Sequence, residues 1–124
     1  MRTKWLTIPI VGIEWTVYLT DEDDADLRDS NEHKSLEGRC LFWKNIILVN
    51  RRLPVSRLPD VLLHEVLHAV VFLSGARETC GLGESDDEEK IVVTLAGPLT
   101  AALAACGALK FPDLKPPVAK KEKR

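Results

Sequence analysis

Cysteine is scarce in this chain and widely scattered: three residues, Cys40, Cys80 and Cys106, with no CxxC among them. An odd, dispersed set is a poor disulfide framework and argues against a zinc ribbon, so reduced thiols in a cytoplasmic protein are expected. Charge of one sign is also lacking. The net charge is −2, and basic residues gather only in the terminal KKEKR, so no global field points to specific nucleic-acid binding. A continuous apolar leader is missing too. Thr7, Pro9, Gly12 and Glu14 interrupt the N-terminal hydrophobic stretch, and no signal peptide is expected. One run, residues 91–109, goes 19 positions without a charge. That length meets the lower limit of a membrane span, but Ala, Gly, Thr and Pro dominate the run. A buried helix and no membrane partner are expected there.

What remains is an ordinary globular chain. At 124 residues, 45% hydrophobic and 29% charged, it fits one domain able to bury a core without staples. Residues 4–19 have strand composition, and Trp15, Val17 and Leu19 alternate with Glu14, Thr16 and Tyr18 as in a half-buried strand. The acidic stretch 21–38 reads as an exposed loop with room for a short helix. Residues 38–43 and 46–49 read as two strands around a Lys44-Asn45 turn. A first helix is expected from about Arg57 to Ser74, with Ser56 as its cap, Pro59 and Asp60 in its first turn and Gly75 closing it. A polar connection follows, in which Ser85 and Glu88 have the spacing of a capping box. A second helix is expected from about Asp86 to Ala108, kinked or broken at Pro98. The Pro-rich, basic residues 111–124 read as an extended tail outside a domain spanning 1–110.

The first helix carries LLHEVLH at 62–68. Leu62, Leu63, Val66, Leu67, Val70, Val71 and Leu73 make most of its circumference apolar, which leaves His64, Glu65 and His68 as polar residues where a core tolerates none unpaired. Positions i and i+4 share a helix face, so two imidazoles there can reach one metal ion. Glu65 sits beside the first of them, placed to take a proton from a water at that ion. Zinc suits nitrogen ligands and lowers the pKa of a bound water from ~15.7 towards ~7. A core histidine is the bland alternative, but three polar groups in so apolar a helix favour Zn2+.

Two histidines leave such a site incomplete. The remaining histidine, His33, lies upstream, and residues 72–75 read FLSG, so an HExxHxxGxxH metzincin is excluded. Downstream candidates are Glu78, Cys80, Glu84, Asp86, Asp87, Glu88 and Glu89. If Val92, Leu95, Ala96 and Leu99 mark the core side of the second helix, Glu89 and Glu88 share that side. Glu89 is the preferred third ligand and Glu88 the alternative. Acidic residues in a first helical turn also stabilise the helix dipole without any metal.

LLHEVLHAVVFLSG, EEKIVVTLAGPLTAAL and FP together resemble the small HExxH proteins of phages and prophages. These belong with the gluzincins, minimal zinc-dependent peptidases that include the ImmA/IrrE-like and minigluzincin groups. The resemblance covers about residues 36–112, and HExxH is its most specific part. It implies an α+β, zincin-like domain: a small twisted β-sheet packed on an HExxH helix, with a glutamate-bearing helix behind. It also implies His64, His68 and Glu89 as metal ligands, Glu65 as catalytic base, and hydrolysis of a protein or peptide substrate. In such folds an extended peptide adds to an edge strand, for which Ile46–Asn50 is the candidate here. Two departures stand out. Phe111-Pro112 replaces an Asn-Pro, and no Tyr or His follows the first helix to stabilise an oxyanion. Tyr18 and His33 are the residues left for that role. Against the peptidase stands a catalytically weak or inactive zinc-binding protein acting as a phage structural or host-interaction module. The compartment expected is the cytoplasm, or the host cytoplasm or virion for a phage-encoded chain.

Overall fold

A computed structural model describes residues 1–29, 34–82 and 85–107. The expected tail, Phe111-Pro112, His33 and Glu84 lie outside the described residues. The architecture is α+β, with a four-stranded mixed sheet covered on one face by helices.

The strand-rich N-terminus forms a hairpin, β1 (Thr3–Ile10) and β2 (Ile13–Thr20), paired antiparallel. Its turn is Val11-Gly12, both at positive φ (50° and 80°). That combination matches the twist of a two-residue hairpin turn, although a β-branched residue is seldom found there. The sequence signal at Val-Gly is correspondingly weak, and residues 4–19 give no hint of the reversal. The alternation in β2 holds: Trp15, Val17 and Leu19 are buried towards the helices.

The acidic stretch is more structured than a loop. It contains a 3-10 turn (Ala25–Leu27) and a two-residue ladder between β3 (Arg28–Asp29) and β4 (Lys34–Ser35). Leu27 is fully buried, and Arg2 ties Asp24 and Asp26 to β1 through hydrogen bonds of 2.7–3.2 Å. The chain then enters β5 (Gly38–Leu41), a 3-10 turn (Phe42–Lys44) and β6 (Ile46–Asn50), with Asn45 left-handed at the reversal. The sheet order is β1-β2-β6-β5, with β6 parallel to β2 and antiparallel to β5. The expected edge strand, Ile46–Asn50, is therefore interior, and Ile47, Leu48 and Val49 are buried on both its faces. The edge beside the helices is β5.

Helix α1 (Leu58–Ser74) lies over the sheet, with Leu58, Val61, Leu62 and Ala69 in the core. Ser56 does not cap it. Residues 55–57 form a 3-10 turn that leads into the helix, and Pro59 supplies the first-turn φ. Gly75, at φ 77°, ends it as expected and opens a four-residue helix, α2 (Ala76–Thr79).

Helix α3 (Ser85–Ala105) runs unbroken through Pro98. The preceding Gly97 has no Cβ to meet the proline ring, and Thr94, whose carbonyl loses its partner, is exposed. Its core side differs from the expected one. Glu88, Val92 and Ala96 form the buried i,i+4 stripe, while Leu95 is 50% and Leu99 39% exposed. Packing against α1 accepts a narrow stripe, and the small Ala96 permits close approach. Run 91–109 is thus a one-sided surface helix in its described part rather than a fully buried one. No helix of the described residues is long and apolar enough to cross a membrane.

One glycine sets the distance between α1 and the edge strand. A Cβ on Gly38 would lie 2.9 Å from Val61 Cγ1, 3.1 Å from Glu65 Cγ and 3.1 Å from the Leu48 carbonyl oxygen. Gly38→Ala therefore forces α1 away from β5, and the backbone oxygen cannot yield as a side chain can. We expect a loss of about 1–3 kcal/mol in urea unfolding, typical of overpacking; an unchanged midpoint would contradict so close a contact.

Candidate functional site

Helix periodicity brings His64 and His68 onto one face of α1, with ring centroids 4.9 Å apart. The rotation of α3 places Glu89 one position off its packing stripe, facing these rings. Glu89 Oε1 is 2.8 Å from His68 Nε2, and Glu89 Oε2 is 3.4 Å from His64 Nε2. One ligand atom from each of His64, His68 and Glu89 falls within 4.8 Å of the others. Ligands about 2.0–2.1 Å from one tetrahedral zinc ion stand about 3.3 Å apart, so the donor set suits that ion in chemistry, and its atoms lie close enough to draw together around one.

Glu88 points elsewhere. Its Oε2 lies 2.6 Å from His68 Nδ1, and Arg77 donates to both its oxygens, at 2.6 and 3.2 Å. Its carboxylate is thus engaged by His68 and Arg77. With Nδ1–H donating to Glu88, Nε2 of a neutral His68 offers only a lone pair, directed at the lone pairs of Glu89. A cation between them, a proton or a metal ion, makes this arrangement attractive. Burial raises the Glu88 pKa, but the hydrogen bonds from Arg77 and His68 outweigh it and hold the carboxyl below its usual range. Burial lowers the His64 pKa, favouring the neutral imidazole that can ligate a metal.

Glu65 is 7% exposed, and burial pushes its pKa up to about 7 against the opposing field of His68. A carboxylate there is poised to exchange a proton at neutral pH. Beneath it, the Cys40 thiol donates to the Glu65 backbone carbonyl at 3.0 Å, and burial drives its pKa far above the ordinary thiol range. Cys40 is a packed core group in that state.

His64, Glu65, His68 and Glu89 line a cleft of about 890 Å³ between β5 and α3. Arg39, Trp43 and Arg57 line one side, and Val93 and Gly97 the other. Trp43 is 86% exposed at the rim. Tyr18 does not reach the cleft: in β2 it alternates with Val17 and Leu19, so it points to the sheet face away from α1. Of the other downstream candidates, Glu78, Cys80, Asp86 and Asp87 stand outside the His64–His68–Glu89 group.

The sequence gives no sign of Arg77, Arg39 or Trp43 as site residues. Arg77 is the one arginine in an acidic connection, a weak signal for a buried carboxylate partner. The side of α3 that packs was needed to separate Glu88 from Glu89.

The raised pKa of Glu65 has a consequence for the metal-free protein. In the fold it titrates at about 7 rather than at its ordinary 4.5, so its contribution to stability is full below 4.5 and is lost as pH rises through 7. Glu65→Gln never ionises. Its stability relative to wild type, measured by urea unfolding in chelator, should therefore rise by on the order of 2 kcal/mol between pH 5 and pH 8. Parallel pH profiles for the two proteins would contradict a buried, proton-holding Glu65.

No protein-family model, curated protein or solved structure matches this chain.

Proposed function

We propose that this chain is a zinc-dependent metallopeptidase with a minimal zincin-like domain, akin to the small gluzincins of phages. The observation that carries the proposal is the convergence of Glu89 on the Nε2 atoms of His64 and His68 beside buried Glu65, on the floor of a cleft bounded by an edge strand. In this reading His64, His68 and Glu89 hold Zn2+, and Glu65 is the catalytic base.

Zinc held by His64, His68 and Glu89 would supply a Lewis acid and make water easier to ionise at neutral pH. Glu65 would accept a proton from the attacking water and return it to the nitrogen of the leaving amine. His68 is oriented through Nδ1 by Glu88. Among the described residues β5 has no strand on its outer side, so its backbone offers hydrogen bonds to an extended peptide laid along the cleft, and the substrate class is a protein or peptide segment in β conformation. Gly38 matters here because it lets this edge approach Glu65.

A second reading, a zinc-binding module with weak or no hydrolysis, is favoured by one observation. Among the described residues, no Tyr and no His beyond the pair lines the cleft to stabilise an oxyanion. Such a donor is typically worth ~10²–10³ in rate.

One variant tests the metal site and a second separates the two readings. His68→Ala should abolish stoichiometric zinc in elemental analysis. Glu65→Gln should retain zinc and lose about 10²–10⁴-fold in cleavage of a denatured protein or peptide mixture, read by mass spectrometry of the products. Zinc-loaded wild type and Glu65→Gln giving identical product profiles would remove the peptidase and leave the binding module.

A further inference from the structure

The zinc reading assigns direct contacts to His64, His68 and Glu89 and leaves Arg77 without a role. Yet Arg77 is held more closely than a surface arginine requires. Its guanidinium lies 5.0 Å from the centroid of the Phe42 ring and 5.2 Å from that of Phe72, which are themselves 4.8 Å apart. From there it donates through Nε and one Nη to both oxygens of Glu88, at 2.6 and 3.2 Å. Glu88, 4% exposed, in turn takes His68 Nδ1 at 2.6 Å. The chain thus runs from an aromatic pair, through a planar cation and a buried carboxylate, to the far nitrogen of a ligand ring.

We infer that Arg77 is a positioning residue which, acting through Glu88, fixes the orientation and tautomer of His68 and so sets the affinity of the site for zinc; this rests on the metal-site reading above. The physics is specific. A carboxylate on Nδ1–H holds the proton there, leaves the Nε2 lone pair free for a metal and increases its basicity. Glu88 does this only if it stays ionised and in place while buried. Arg77 supplies the compensating charge with two parallel donors, a geometry that a lysine ammonium cannot reproduce. Phe42 and Phe72 both lie within cation–π distance of the guanidinium and so restrict where it can sit. Phe42 comes from the turn after β5, Phe72 from α1 and Arg77 from α2, so the clamp also joins the three elements around the site.

The test measures zinc affinity by chelator competition in the full chain, with the visible spectrum of bound Co2+ as a reporter of coordination. Arg77→Ala and Glu88→Gln should each weaken zinc about 10–100-fold. Arg77→Lys should restore only part of the loss. The double variant should bind no worse than the weaker single one, because both act along one path. Far-UV circular dichroism of the metal-free variants checks that each is folded. Should Arg77→Ala not fold, Glu88→Gln and Arg77→Lys carry the same comparison. Wild-type zinc affinity in folded Glu88→Gln and Arg77→Lys, or losses that simply add in the double variant, would overturn the clamp while leaving the metal site standing. Failure of wild type itself to bind zinc would overturn both.

Discussion

The packing of α3 on α1 along Glu88, Val92 and Ala96 determines what the rest of the site can be. Val92 and Ala96 bury a narrow apolar stripe and so fix the rotation of the helix. That rotation sends two adjacent carboxylates to opposite nitrogens of one imidazole: Glu88 to His68 Nδ1 and Glu89 to Nε2. Neighbouring helix positions differ by about 100°, which lets consecutive residues do different work around one ring. A turn of α3 by one position would exchange the carboxylate that faces both imidazoles for the one held behind His68. Its N-terminal turn, already suited to negative charge by the helix dipole, bears this concentration of carboxylates at little cost.

Everything else concerns access to that turn. The sheet places a short edge strand, β5, beside α1, and Gly38 lets it come close enough to bury Glu65. Burial makes Glu65 a group that holds or releases a proton near neutrality, while the cleft above it stays open to a chain segment. Burial of this one carboxylate has two consequences: it brings proton exchange to neutral pH, and it weakens the metal-free fold at high pH.

The legible parts of the sequence were those governed by local periodicity. The extent of α1, its Gly75 terminus, the half-buried β2 and the His64–His68 face all follow from spacing along one element. The illegible parts depended on partners. Val11-Gly12 carries none of the Asn or Asp that marks a positive-φ hairpin, so the first reversal has little local signature. Ile46–Asn50 has the composition of either an edge or an interior strand, and only its parallel pairing with β2 puts it inside. Leu95 and Leu99 look like core residues on a helical wheel, yet among the described residues α1 packs on the adjacent stripe of Glu88, Val92 and Ala96. Arg77 has no motif at all, because its meaning lies in Phe42, Phe72 and Glu88, contributed by three other elements.

The central claim is that His64, His68 and Glu89 form one metal site, and the most direct measurement is zinc K-edge X-ray absorption on the purified full chain. The account predicts one equivalent of zinc with a first shell of nitrogen and oxygen at about 2.0–2.1 Å and outer-shell scattering from two imidazoles. No bound zinc, or a sulfur ligand at about 2.3 Å drawn from a cysteine, would contradict it.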